Sequence, residues 1–546
     1  MEYFSNPFNS SLLKNHILKD PIIDWFNIQE NHKDNKYKKD NHSFYKTFII
    51  KETNDYKKNI FNQFKKKLNL NTTNHNNEID TIQKINNKEP LILDSTLIYN
   101  GMKVHCDIII QIDYFNRIFP KIKNIPLHLI NNQNYILINI SYASIHFKSD
   151  LKECLNKGII PYKKCMLYIF SQAIKEILKY SPKCFILGKE YYYKKTKLSN
   201  DEFISNIIIN DQLRKKYKDS YNWIIYLRKN YKNMYIDTKP SHKELYPNMN
   251  NKDSEWENEK FKLSNRIKEI TLVWNITYEE RCSFIKKNIY CWDDPKLLAE
   301  LKESKKKLIQ ERMIHMNKNN DILIYPRKNI SPNLKEVLNN SNNIFFDVES
   351  FLNMDETVDP VNLSKKLNVP ILAIIGLIHN EHFYDFTIQK YNLINEEKII
   401  RLFANKLWNI YKKKGKILIF HWGHAECKYM EYIHTNYSHI HFPDYKLVDI
   451  LVHFRMEPII VQGIFQFGLK SIGKALYKNN LIQTTWDDEN DNGLEAMIKF
   501  KTVCKQNKKN IPIKRYLEIS KIIQYNKIDC KVLQEIFNLL KNNYNS

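Results

Sequence analysis

The sequence predicts an α/β protein of two domains joined by a helical connector. Three observations point there. At 546 residues the chain is too long for a single hydrophobic core. Two separate stretches, 91–148 and 340–422, gather apolar runs of strand length. The segment between them, 201–335, carries the spacing and charged patches of helices.

Residues 1–70 read as helical. In SLLKNHILKDPIIDWF the apolar residues recur at helical spacing, with Asp20-Pro21 restarting the chain. The polar, Asn-rich segment NLNTTNHNNEIDTIQKINNKE then reads as a loop. PLILDSTLIY, MKVHCDIIIQID and NYILINISYASIHF read as strands, PYKKCMLYIFSQAIKEILKY as a helix, and KCFILGKEYYY as a further strand. Strands, a helix and a strand close a first α/β domain over 1–200. The connector covers 201–339 and includes ELKESKKKLIQERMIHMNKNN. The second α/β domain covers 340–546. NIFFDVES, VPILAIIGLIH and HFYDFTI read as strands, EEKIIRLFANKLWNIYKKK as a helix and KILIFHW as a fourth strand, with helices to the end. No internal repeat is present.

Composition narrows the function. Lys and Arg number 85 against 60 Asp and Glu, a formal charge of +25. A surface this basic attracts polyanions, with nucleic acid the leading partner. The abundance of Lys, Asn and Ile also fits drift in an AT-rich genome. Nine scattered cysteines form no C-x-x-C pair, and Cys282 and Cys291 lack a second pair for zinc. Such a set suits a reducing compartment. The N-terminus has no secretory pattern, and the longest apolar stretch, near VPILAIIGLI, is too short to span a bilayer. A soluble, intracellular protein with no membrane partner is expected.

The chemistry lies in the second domain. The run SNNIFFDVES ends in Asp347 and Glu349, which share one face of a strand. ILIFHWGHAECKYMEYI breaks at Gly423 and delivers Glu426 into a helix. SKIIQYNKIDCKVLQEIFNLL puts Tyr525 and Asp529 at i and i+4 on one helical face. Asp449 in YKLVDILVHF is a further candidate. Taken singly, each acid reads as a solvated carboxylate. Together they can share two divalent cations, Mg²⁺ or Mn²⁺ as hard ions suited to oxygen ligands. Such ions, roughly 3.5–4 Å apart, activate water and stabilise the leaving oxygen of a phosphodiester. Tyr525 would orient the water.

FFDVES, HWGHAE, FGLKSIGKAL and QYNKIDC, with TTWDDENDNGLEAMIKF before the last, resemble the RNase H-like exonucleases with DEDD acids. The likeness is to the RNase H-like domain of RecB-type nucleases, and it covers about 340–546. It implies Asp347, Glu349, Glu426 and Asp529 as metal ligands and Tyr525 as the tyrosine of the Y-x-x-x-D variant. Lys470, in FGLKSIGKAL, would touch nucleic acid. The sequence departs from the pattern at Glu426, where Asp is usual, and at Ser350, where Thr is usual. His421 and His424 flank the site as supporting or structural groups.

The first domain resembles the PD-(D/E)XK nuclease that accompanies this partner, through LKDPIIDWF, GMKVHCDIIIQIDYF, YILINISYASIHF and PYKKCMLYIF. That site needs an Asp at one strand end and acid-x-Lys on the next. Asp107 fits the first position. Asn139-Ile140-Ser141 stands where acid-x-Lys belongs. Tyr56 takes the place of the helical Glu, with Glu52 and Asp55 near it, and Cys165 that of the later Gln. The resemblance therefore implies a catalytically inactive copy that keeps its fold. In the connector, EITLVWNITYEERCSFIKKNIYCWDDP is similar to a helix-hairpin-helix, a phosphate-binding motif. Its hairpin, Asn275-Ile276-Thr277, has no glycine. Arg281, Lys286 and Lys287 are candidate phosphate contacts, against the simpler reading of a solvated basic face. Trp274, Ile289 and Trp292 read as packing residues.

The combined expectation is a metal-dependent 3′–5′ exonuclease that takes a single-stranded end of DNA or RNA into a basic cleft. The alternatives are a non-catalytic nucleic-acid-binding protein and a scaffolding subunit of a repair or replication complex. The architecture and the Lys/Asn/Ile bias also resemble proteins of large DNA viruses, for which the compartment would be host cytoplasm or nucleus.

Overall fold

The computed structural model describes residues 7–30, 37–40, 44–73, 76–123, 134–194, 196–252, 255–319, 322–326, 330–351, 371–487, 498–500, 502–504, 507 and 511–544. The chain is mixed α/β and divides near residue 267 into two compact units. That division falls inside the stretch expected to be a separate connector. Helices Asp211–Asn230 and Glu257–Arg266 belong to the first unit, and Tyr278–Lys286 and Lys305–Lys318 to the second.

The first unit is built on a seven-stranded sheet: β1 (Phe8–Asn9), β2 (Leu91–Tyr99), β3 (Met102–Gln111), β4 (Tyr135–His146), β5 (Lys183–Tyr193), β6 (Thr196–Leu198) and β7 (Ser205–Asn206). β2, β3 and β4 are antiparallel, and β5 runs parallel to β4 across the helix Ile160–Leu178. Alternation along the strands divides the apolar residues between two faces. Ile108, Ile110, Ile136, Ile138 and Phe185 pack with Phe61, Phe64 and Leu68 of the helix Phe44–Leu68. Ile109, Leu137 and Ile186 are equally buried on the other side. Each such residue stabilises the fold by roughly 1.5–3 kcal/mol. One expectation fails here. The segment 69–89 is not all loop, because Glu78–Asn86 is a helix. The Asn77 side chain accepts the Asp80 amide as an N-cap, and Thr81 and Ile85, four apart, are buried. The Asn-rich composition that suggested a loop supplied the cap.

The first strand of the second unit is the short β8 (Ile324–Tyr325). Its main sheet has five strands: β9 (Asn343–Phe351), β10 (Ile371–His379), β11 (His382–Thr387), β12 (Ile417–His421) and β13 (Tyr445–Asp449). β14 (Ile460–Val461) pairs with β8. The order across the main sheet is β11-β10-β9-β12-β13. β9, β10 and β11 are antiparallel, whereas β12 and β13 run parallel to β9. The fifth strand, β13, was expected as helix. Its five residues run straight into the helix Ile450–Met456, so ILVHF masked the boundary.

Alternation along β9 places the site. Phe346 stacks on Phe403 of the helix Leu393–Lys414, with ring centroids 5.5 Å apart. Phe345 points the other way, onto Phe537 of the helix Leu517–Tyr544 at 5.4 Å. Asp347 and Glu349 share the parity of Phe345, so they face the C-terminal helix. A register shift between Leu372 and Ile374 puts a bulge in β10 beside this acid pair.

Candidate functional site

On that face the C-terminal helix brings Asp529 to Asp347 and Glu349. One carboxylate oxygen from each lies within 4.8 Å of the others. Glu426 is buried in the first turn of the helix Ala425–Asn436 and stands outside this closest group. Its charge nevertheless reaches Glu349 and Asp529, raising both. Burial pushes Asp347 up to about 6. Burial, reinforced by the charge of Asp347, pushes Glu426 up to about 8 and holds Glu349 and Asp529 well above the carboxylate range. Among the described residues no lysine or arginine forms an ion pair with any of the four. The His421 ring lies 3.7 Å from Glu426, and Lys470 acts on Asp529 as a favourable charge.

Neutral donors hold two of the acids in place. The Asn526 amide donates to Asp347 Oδ2 at 2.6 Å, and the Trp486 indole donates to Asp529 Oδ1 at 2.8 Å. Both depend on glycine. Gly376 lies opposite Asp347 in the β9–β10 register. A Cβ there would sit 1.7 Å from Asn526 Oδ1. A Cβ on Gly473 would sit 2.8 Å from the Trp486 ring and from Val532. Glu426 Oε2 is buried with no hydrogen-bond partner. An orphaned carboxylate oxygen beside three crowded carboxylates is a donor set that fits a hard divalent cation.

The other candidates of this unit divide. Tyr525 is half-buried, and the Lys470 ammonium, whose charge is felt by Asp529, lies 5.6 Å from its ring centroid. Ser350 exchanges a 2.6 Å hydrogen bond with Tyr429. His421 is buried and structural: its Nδ1–H donates to the Gly423 carbonyl at 2.8 Å. His424 is exposed. Asp449 is a local cap, with Oδ1 accepting the Gly423 and Leu451 amides at 2.9 Å each.

The first unit holds a second acidic group of opposite electrostatic character. Asp94, His105 and Asp107 offer ligand atoms within 4.8 Å of one another. Lys57 Nζ lies 2.5 Å from Asp94 and 2.7 Å from Asp107, and Lys163 Nζ lies 4.0 Å from Asp107. Burial alone would raise both acids. The cations beside them outweigh it and hold both well below the usual range. Asp107 also accepts the Ile140 amide at 2.6 Å, and Asn139 Oδ1 accepts the Asp107 amide at 3.1 Å. Asn139 and Ser141 are buried on β4, and Ser141 adds no charge. The Tyr56 hydroxyl donates to the Gly188 carbonyl at 3.1 Å. Cys165 is a buried thiol that burial pushes up to about 12.

In the expected hairpin, Asn275 takes the left-handed conformation that a glycine would serve, with φ 61°. Glu280 fills the helix N-terminus: its Oε2 accepts from the Thr277 amide at 2.8 Å and the hydroxyl at 2.9 Å. Those two donors are therefore taken. Arg281 is a correction. It is 2% exposed and pairs with the fully buried Glu269 at 3.2 Å, so it cannot meet phosphate. Lys286 and Lys287 are exposed, with Lys287 paired to Glu300. Ile289 and Trp292 are buried, as packing residues should be.

Sequence reasoning missed Asn526, Trp486, Gly376, Lys57, Asp94 and His105. Asn526 carried a readable signal, three residues before Asp529 on one helical face. Lys57 stood one residue beyond Tyr56. Trp486 and Gly376 gave none, because their role depends on segments far apart in the chain. Against protein-family models, curated proteins and solved structures, the chain has no match.

Proposed function

We propose that the second unit is a metal-dependent nuclease, a 3′–5′ exonuclease acting on a single-stranded end of DNA or RNA. The observation that carries this is the close approach of Asp347, Glu349 and Asp529, joined electrostatically by Glu426, with no lysine or arginine among the described residues ion-paired to them. Crowded, buried carboxylates are relieved either by holding protons or by a cation, and a divalent cation would relieve all four at once. The sheet order β11-β10-β9-β12-β13, antiparallel then parallel about β9, supports an RNase H-like reading of this unit. In the first unit, a helix, three antiparallel strands, a helix and a parallel strand support a PD-(D/E)XK-like reading. Its Lys57-filled cluster supports a catalytically inactive role.

Two Mg²⁺ or Mn²⁺ ions, held by Asp347, Glu349, Glu426 and Asp529, would supply an activated water and charge stabilisation at the leaving oxygen. The chain's own groups do the rest. Asn526 and Trp486 each occupy one carboxylate oxygen, which fixes the rotamers of Asp347 and Asp529. Tyr525, one helical turn before Asp529, would orient water by its hydroxyl. Lys470 beside it would meet the phosphate. The formal charge of +25 favours approach of a polyanion.

The test is degradation of an end-labelled single strand in Mn²⁺. Ladder-like shortening by the native protein, abolished in Asp347→Ala and in Asp529→Ala, is the expected result. Native protein that binds the strand but leaves it intact would replace the nuclease reading with a binding role.

A further inference from the structure

We propose that the Lys57 ammonium is the resident cation of the Asp94–His105–Asp107 cluster, and that it masks a divalent-cation site in the first unit. The inference stands apart from the nuclease reading of the second unit. The three atoms that would ligate an ion, Asp94 Oδ1, Asp107 Oδ1 and His105 Nε2, are the atoms the ammonium approaches, at 2.5, 2.7 and 3.3 Å. A charge of +1 thus stands where a metal would.

The position is built rather than incidental. Lys57 rises from the helix Phe44–Leu68, which is anchored in the core by Phe61 and Phe64. Its Nζ also lies over the Phe61 ring, 5.4 Å from the centroid. Asp107 is fixed from behind by the Ile140 amide and from the side by Lys163. Two carboxylates and two lysines sum to zero charge, before any proton on His105, whose Nε2 lies 2.8 Å from Asp94 Oδ1. A divalent ion added among them would leave at least two excess positive charges, with the ammonium only a few ångströms away, where like charges repel strongly. Without Lys57, two carboxylates and an imidazole remain around an opening. That mixed O/N set suits Mn²⁺, Co²⁺ or Zn²⁺. Among the described residues no lysine is ion-paired with the acids of the second unit, so the two clusters should behave oppositely toward metal.

The test uses the full chain with the second unit's acids disabled by Asp347→Asn and Asp529→Asn, and Mn²⁺ as the probe, read by electron paramagnetic resonance. This background should bind no ion at the first unit. Adding Lys57→Met should create one bound ion per chain, and adding Asp107→Asn to that variant should abolish it. Two outcomes would overturn the proposal. One is Mn²⁺ binding in the background that Asp107→Asn removes, and the other is a folded Lys57→Met variant that binds nothing. If Lys57→Met does not fold, the ring resonances of His105 decide the matter in protein that keeps the native lysine. Sharp lines in Mn²⁺ support the proposal, and paramagnetic broadening overturns it.

Discussion

At the scale of residues, the two acidic clusters show that burial alone does not set a carboxylate's behaviour. Asp107 and Glu349 are both withdrawn from water, yet Asp107 is held low against burial by Lys163, His105 and Lys57, whereas Glu349 is held high by burial and then by its acidic neighbours. The ligands of the second unit were legible because their types and spacings were local: Asp347 and Glu349 two apart on a strand, Tyr525 and Asp529 four apart on a helix. Their supports were not. Gly376 shows why. Only the β9–β10 register and the helix above it reveal that its missing Cβ makes room for Asn526. Gly376→Ala should displace Asn526, release Asp347 and weaken Mn²⁺ binding by roughly tenfold, as losing an outer partner of a ligand does. Calorimetric titration checks this, and unchanged affinity would refute the role given to Asn526.

At the scale of elements, long apolar runs announced themselves and short ones did not. β9, β10 and β12 were readable as buried strands. β13 was hidden by the helix that continues it, and the helix Glu78–Asn86 by the asparagines that precede it. The join between elements carries its own chemistry. Glu396, fully buried in the first turn of the helix Leu393–Lys414, accepts the Leu372 amide of β10 at 2.7 Å and the Tyr432 hydroxyl at 3.0 Å, with Tyr437 as a third donor. Glu396→Ala would strand three buried donors and should destabilise the second unit by about 3 kcal/mol or more. A shift in the urea midpoint measures it, and a loss below about 1 kcal/mol would show that water replaces the carboxylate.

At the scale of the whole molecule, the chain is mixed α/β and divides near residue 267 into two compact units. The helices after residue 200 carry their own apolar faces, so composition could not show that they divide between the units near residue 267. Long-range ties inside a unit were equally hidden. Asp24 accepts from Asn15 at 2.7 Å and from the Trp223 indole at 3.0 Å, 199 positions away. Burial raises Asp24 from 3.8 to about 7. The folded state thus holds a proton that the unfolded state has released. Stability from this source is fully present below the ordinary value of 3.8 and is lost as the pH rises through about 7. The unfolding midpoint should therefore fall on going from pH ~5 to ~8, less so in Asp24→Asn, and equal slopes in the two proteins would contradict the assignment. The central claim, that the acids of the second unit gather around divalent cations, is tested most directly by soaking crystals in Mn²⁺ and recording its anomalous scattering. The account predicts density bounded by Asp347, Glu349, Glu426 and Asp529 and none between Asp94 and Asp107. Density confined to the first unit, or a Mn²⁺-soaked crystal with none at the four acids, would contradict it.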